Sequence, residues 1–292
     1  LVKTPKNMAI QLIPSFSELQ IVIAEARASG KSVGFVPTMG ALHEGHASLM
    51  REALIHNDIG IASVFVNPTQ FGPNEDFDRY PRTLEADTAL LGSLGTHYVY
   101  APAVGDIYPE GRNASEVGLH LRGMDRVLCG ASRPGHFNGV MQVVAKLLHQ
   151  VQPTRAYFGQ KDWQQLSILA RMVRELFFPV EIVGCPIIRE PDGLAMSSRN
   201  RYLSAEERQQ ALFLSAALSA VKKGMAEGAV AADAVAAGLA LLPQFPLIKL
   251  DYLEIRNEST LESVDVIHAA DKPRVFVAAW CGTTRLIDNG GW

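Results

Sequence analysis

The stretch Val33-Gly34-Phe35-Val36-Pro37-Thr38-Met39-Gly40-Ala41-Leu42-His43-Glu44-Gly45-His46 decides the fold. A short apolar run, Val33 to Val36, leads into a glycine-bearing turn, and an amphipathic run from Ala47 to His56 follows. This is the pattern of a strand, a tight turn and a helix N-terminus. The first N–H groups of a helix lack intrahelical partners and its dipole is positive there, so such a turn attracts anions. His43 and His46, flanked by small residues, suggest a seat for a polyphosphate, against the competing reading of a purely structural turn. Two other readings fail on spacing. Gly40-x4-Gly45 copies a P-loop, but His46 stands where that motif needs lysine. His43-Glu44-Gly45-His46 brings its second histidine one residue too early for a zinc helix, and no cysteine cluster adds ligands.

Outward from this segment the alternation continues. Candidate strands are Val33–Val36, Ile59–Val66, His97–Tyr100, Arg155–Phe158 and Val180–Val183. Candidate helices are Phe16–Ser29, Gly45–His56, Leu84–Leu94, Phe137–Gln150 and Trp163–Phe177. Such alternation implies an α/β fold, a Rossmann-like doubly wound parallel sheet with ligands beyond the carboxyl ends of its strands. The pattern changes near Pro186. Alanine-rich helical stretches at 205–227 and 231–242 precede candidate strands Leu250–Arg256 and Val275–Trp280, which reads as a second, smaller α+β domain. The expected domains are therefore 1–186 and 187–292. The polar, Pro- and Gly-bearing segment Asn67 to Arg82 is long for a connection and is expected to act as a lid.

The totals narrow the function classes. A chain of 292 residues with 48% hydrophobic and 20% charged residues is an ordinary globular composition with room for two domains. A net charge of −3 without a Lys/Arg run disfavours nucleic acid as a partner. Cys129, Cys185 and Cys281 are odd in number and far apart, which argues against a disulfide framework and fits a reducing cytoplasm. No apolar run reaches membrane length and no signal-peptide core stands at the N-terminus, so no membrane association is expected. Residues 1–7, ahead of Met8, are left out of the fold argument.

Five further segments carry chemistry. Asn67 and Gln70 are neutral amides at a strand end, suited to hydroxyls and a carboxylate; turn chemistry is an equal alternative for Asn67. Lys161 opens a helix, where a cation is unfavourable unless an anion compensates, while Asp162 and Gln165 fit a capping box. Ser197, Ser198 and Arg199 can grip phosphate oxygens, with Ser204 as N-cap of the next helix. His136 begins another helix and is a candidate substrate-binding residue, with packing as its alternative. Asp87 is a candidate to hold magnesium through water, against the commoner reading of a solvated helix acid.

Together these motifs resemble a family. PTMGALHEGH is similar to the HIGH-type signature of class I aminoacyl-tRNA synthetases and related nucleotidyltransferases, and MSSRN to their second phosphate-binding signature. The ordered set PTMGALHEGH, SVFVNPTQFGPNEDFDRYPRT, SRPGHFNGV, FGQKDWQQL and GLAMSSRNRYLS resembles the pantothenate synthetases, from about Ile10 to Asn289 and including the terminal TRLIDN. The resemblance implies condensation of pantoate with β-alanine through a pantoyl adenylate, with ATP consumed and AMP and pyrophosphate released. It implies an ATP site of Met39, Gly40, Ala41, Leu42, His43, Glu44, Gly45, His46, Gly159, Gln160, Lys161, Asp162, Ile188, Met196, Ser197, Ser198 and Arg199. Within it, His43, His46, Lys161, Ser197, Ser198 and Arg199 would act on the phosphates. It places Gln70 on pantoate and β-alanine, Gln165 on pantoate and Asp87 beside Mg2+, with a homodimer as the assembly. A helix N-terminus disfavours a protonated imidazole, so protonation of His46 would have to come from the bound polyphosphate, and simple hydrogen bonding is an equal reading. Two positions depart from the pattern: Gln160 and Cys129 stand where glutamate is frequent. The alternatives are a nucleotidyltransferase for another acid, and a nucleotide sensor without turnover. A tRNA synthetase is disfavoured by the charge and by the short length.

Overall fold

The computed structural model describes residues 10–73, 75–111, 117–121, 123–228 and 230–292. The chain forms two compact units, one of Leu1–Leu121, Arg133–Gln160 and Ile168–Pro186, the other of Arg122–Ser132, Lys161–Ser167 and Ile187–Trp292. The expected division at 186/187 leaves out the two short segments, 122–132 and 161–167, that cluster with the second unit.

The first unit holds β1 (Gln11–Ile13), α1 (Phe16–Ala28), β2 (Val33–Thr38), α2 (Glu44–His56), β3 (Ile59–Val64), α3 (Leu84–Ser93), β4 (Tyr98–Tyr100) and α4 (Val104–Ile107). After α5 (Cys129–Ser132) of the second unit, it continues with α6 (His136–Val151), β5 (Arg155–Gly159), α7 (Trp163–Glu175, whose first turns belong to the second unit) and β6 (Glu181–Cys185). Its six strands form one sheet in the order β1-β4-β3-β2-β5-β6, every pair parallel. The order reverses at β2, so the carboxyl ends of β2 and β5 lie at the topological switch where such sheets bind ligands. β2 and β3 are apolar and buried along almost their whole length, as strands covered on both faces must be. Phe35, Ile61, Ala62 and Val99 are fully enclosed.

The second unit adds α8 (Ala205–Ala211), α9 (Phe213–Ala226), α10 (Ala231–Leu239), β7 (Ile248–Asn257), β8 (Pro273–Cys281) and β9 (Thr284–Gly291). The three strands pair antiparallel in the order β7-β8-β9. Phe213, Leu214, Ala217 and Val221 of α9 pack on Val275, Val277 and Ala279 of β8. The other face of this sheet carries Arg274 and Arg285. The Arg285 guanidinium donates to Cys129 Sγ at 3.4 Å, and that of Arg274 lies 3.4 Å above the Trp163 ring. These contacts explain why 122–132 and 161–167 join the second unit.

Three local expectations change. β1 and β9 are strands that the sequence pattern does not announce. The helical stretch 205–227 is two helices meeting at Leu212, whose backbone stays right-handed (φ −61°, ψ −16°), so the junction is a bend and not a cap. Ser204 caps α8 in a reciprocal box with Glu207, as expected.

Candidate active site

In the first unit the turn after β2 is built around Asp87. This residue is 3% exposed. Its Oδ2 accepts from Ala41 N–H at 3.0 Å and Thr83 Oγ1 at 3.1 Å, and its Oδ1 accepts from Leu42 N–H at 2.8 Å. Gly40 has φ +80° and Ala41 φ +52°, a left-handed pair that turns successive N–H groups towards the carboxylate. A Cβ at position 40 would stand 2.9 Å from Asp87 Oδ2, so glycine there is required on both counts. Asp87 is thus a buried clamp and not a solvated helix acid. Both of its oxygens accept from the chain itself, which makes holding this turn its visible work. Among the described residues no cluster of three or more His, Cys, Asp or Glu is placed to hold an ion.

The clamp delivers the start of α2. His43 is its N-cap, and His43 Nδ1 accepts from Gly45 N–H at 3.1 Å. His46 Nδ1 accepts from His43 N–H at 3.4 Å. The two rings lie 4.2 Å apart, centroid to centroid. A neutral imidazole whose Nδ1 accepts carries its proton on Nε2. Both histidines are therefore set to donate from Nε2 at a helix N-terminus.

Gln70 sits in a turn after β3 and is half-buried. Its Oε1 accepts from Asn67 Nδ2 at 3.0 Å, and its Nε2 reaches Met39 Sδ at 3.3 Å. Asn67 is 1% exposed and fully engaged. It donates to Gln70 Oε1 and to Gly139 O, and its Oδ1 accepts from Tyr108 Oη at 2.7 Å and Thr69 Oγ1 at 3.1 Å. Burial pushes the Tyr108 phenol pKa up, against its bonds to Thr69 and Asn67, so the hydroxyl stays a donor. The turn reading of Asn67 fits this geometry: it orients Gln70 and keeps no group for a ligand.

His136, the first residue of α6, and Arg133, just before that helix, hold the same turn. His136 Nδ1 bonds Gln70 O at 2.8 Å, which makes that nitrogen the donor, and its Nε2 lies 3.0 Å from Arg133. His136 therefore supports the Gln70 backbone. Arg133 Nε also donates to Glu75 Oε1 at 2.7 Å, tying down the expected lid segment. Burial opposes the Glu75 charge, but the Arg133 bonds outweigh it and hold this carboxyl below its usual range. Asn74 of that segment lies outside the described residues. At the end of β5, Gln160 donates to Gly184 O at 3.2 Å.

The second unit carries the other phosphate-type groups. The Lys161 ammonium lies 3.7 Å from Asp162, and its side chain is 19% exposed. The expected box between Asp162 and Gln165 is not formed, because a 3-10 turn over 160–162 enters the helix without it. Gln165 is half-buried, while its neighbour Gln164, 5% exposed, accepts from Cys129 N–H at 3.0 Å and donates to Met124 O and Val127 O. Met196 N–H donates to Ile188 O at 3.0 Å, and Ser197 Oγ caps the following turn by accepting from Arg199 N–H at 3.3 Å. Asn200 is buried and anchors this turn through Glu190 and Ala195 O. Arg133, Gln164 and Asn200 escaped the sequence reading because their work is to hold backbone, which leaves no motif.

Comparison with known proteins gives one family. The family described as pantoate-beta-alanine ligase matches residues 11–291. A pantothenate synthetase of Moorella thermoacetica is 49% identical over 96% of this chain and 98% of its own. The crystal structure of pantothenate synthetase from Thermus thermophilus has a TM-score of 0.90 and 46% identity, covering 96% of this chain and 99% of that one. That of pantoate-beta-alanine ligase from Francisella tularensis, complexed with beta-gamma ATP and beta-alanine, has a TM-score of 0.77 and 32% identity over 97% and 98%. The chain belongs to the pantoate-beta-alanine ligase family.

Proposed function

We propose that the chain joins pantoate to β-alanine in two steps on ATP, with the groups described above in defined roles. Family membership makes it a ligase with ATP as substrate. A pantoate carboxylate oxygen attacks the α-phosphorus, and the bond to pyrophosphate breaks. The β-alanine amine then attacks the acyl carbon, and AMP leaves. The observation that carries this reading is the Asp87-clamped turn, which sets two closely packed histidines, each accepting at Nδ1, at the start of α2.

In this reading His43 and His46 donate to phosphate oxygens by hydrogen bonds, because their Nδ1 atoms are already accepting. Lys161, Ser197, Ser198 and Arg199 neutralise charge growing on the phosphates; donors fixed in advance are usually the largest catalytic contribution. Met39 to Gly45, Gly159, Gln160, Asp162, Ile188 and Met196 supply the remaining ATP contacts. Gln70, oriented by Asn67, and Gln165 bind pantoate. The Arg133–Glu75 tether sets the segment that shields the mixed anhydride from water. Magnesium enters as the counter-ion of ATP, with Asp87 as the nearby carboxylate that the resemblance assigns to it. The resemblance supports a homodimer in the cytoplasm, without nucleic acid or membrane as partner. Among the described residues no helix is long and apolar enough to cross a membrane.

The test is AMP release from ATP and magnesium with pantoate, β-alanine or both. AMP that requires both acids supports the reading. Turnover with another carboxylic acid and none with pantoate overturns it.

A further inference from the structure

The terminal motif Thr284-Arg285-Leu286-Ile287-Asp288-Asn289 forms most of β9 yet has no part in the reaction above. Its last two residues are polar, and each is 2% exposed. Successive strand residues point to opposite faces, so the two side chains serve different segments of the second unit. The Asp288 carboxylate accepts from both terminal nitrogens of Arg189, at 2.6 and 3.0 Å, and from Asn289 N–H at 2.8 Å. Arg189 also donates to Gly193 O at 3.0 Å and bridges to Ala195, closing the hairpin from which Met196 to Arg199 emerge. On the other face, Asn289 Nδ2 donates to Lys161 O at 2.7 Å, while its Oδ1 accepts from Arg274 at 2.7 Å. A donor on one side and an acceptor on the other fix the amide orientation.

We propose that the Asp288–Asn289 pair is the positioning element for Lys161 and for the Ser197-Ser198-Arg199 run. This rests on the reading of both as phosphate-gripping groups. β9 pairs with β8 along its whole length, so two adjacent residues on it form a stiff reference for two segments distant in sequence. Lysine has a long flexible stem, and fixing its backbone carbonyl sets the position and direction from which that stem starts. The helix itself is held separately. Trp163 lies under Arg274, Trp163 Nε1 donates to Glu258 O at 2.8 Å, and Ser167 donates to the same carbonyl at 3.3 Å. Loss of the Asn289 amide therefore frees the Lys161 peptide and leaves α7 docked.

Two variants test this. Asn289→Asp keeps the acceptor for Arg274 and removes the donor to Lys161 O. Asp288→Asn keeps the side-chain size but replaces one of the two oxygens that accept from Arg189 with a donor and removes the charge. In single-turnover pyrophosphate release from ATP and pantoate, each is expected to slow adenylate formation by about 10- to 100-fold, the scale of a small misplacement of catalytic groups. Conversion of supplied pantoyl adenylate by β-alanine should fall far less; Tm should move little for Asn289→Asp and fall for Asp288→Asn, which breaks a buried ion pair. Adenylate formation at the wild-type rate in both variants, or equal losses in both half-reactions, overturns the proposal. Lys161→Ala measured alongside separates the failures. A slow Lys161→Ala with normal Asn289→Asp and Asp288→Asn sinks the positioning role alone. A Lys161→Ala that forms adenylate normally sinks the phosphate-gripping reading and this proposal with it.

Discussion

Replacing Gly139 with alanine tests how tightly the Gln70 turn must be held. The added methyl would stand 2.4 Å from Thr69 O, 2.6 Å from the Thr69 carbonyl carbon and 2.8 Å from Gln70 N. Ordinary contact begins at 3.4 Å, so α6 and the turn must part by about 1 Å. Both neighbours are backbone, and no side-chain rotation relieves the overlap. The same carbonyl of Gly139 accepts from Asn67, which orients Gln70, so the shift reaches the proposed pantoate contact directly. Overpacking of this kind costs about 1–3 kcal/mol, a modest loss of stability. A displacement of about 1 Å at a positioning group costs on the order of 100-fold in rate. Steady-state AMP release should therefore show kcat/KM for pantoate falling by about that factor while KM for ATP stays near its wild-type value. Thermal unfolding should fall by roughly 2–12 °C. A folded Gly139→Ala enzyme with wild-type kcat/KM for pantoate would refute the reasoning, because the turn would then tolerate the shift.

Lys161→Ala should nearly abolish adenylate formation, with circular dichroism and Tm close to wild type, since only the ammonium near Asp162 is lost. Asp87→Ala leaves two backbone N–H groups and the Thr83 hydroxyl without their acceptor, a cost of roughly 2–5 kcal/mol read by denaturant unfolding. The Arg133–Glu75 tether carries a pH signature. The folded Glu75 pKa lies below its ordinary value, so the tether contributes fully above the ordinary carboxylate range and weakens as pH falls from there through the depressed pKa. Hydrogen-exchange protection over 75–82, taken relative to the intrinsic rate at each pH, should fall across that acidic window and stay constant from mildly acidic to neutral pH.

The parallel sheet was legible because its strands are apolar runs separated by helical periodicity, and the 33–46 segment switches from one pattern to the other within a few residues. β1 escaped because three residues carry too little pattern. β9 escaped because Asp288 and Asn289 break the apolar alternation, which is the mark of their separate duties. At the site, the histidines and the Lys161 and Ser-Ser-Arg segments could be picked out by residue type. The role of Asp87 could not, because its partners are backbone N–H groups 45 and 46 residues away, and a backbone donor has no sequence signature. Asn67 looked like either a ligand group or a turn residue for the same reason. Only the full set of its hydrogen bonds shows that it orients Gln70. The segments 122–132 and 161–167 were assigned by chain position, whereas Arg274 and Arg285 draw them to the small sheet.

The most direct test of the central claim follows AMP and pyrophosphate from ATP and magnesium, with pantoate alone and with pantoate plus β-alanine. The account predicts single-turnover pyrophosphate release with pantoate alone and sustained AMP and pantothenate formation only when β-alanine is added. Pantoate-independent release, or none with a folded protein that binds ATP, would contradict it.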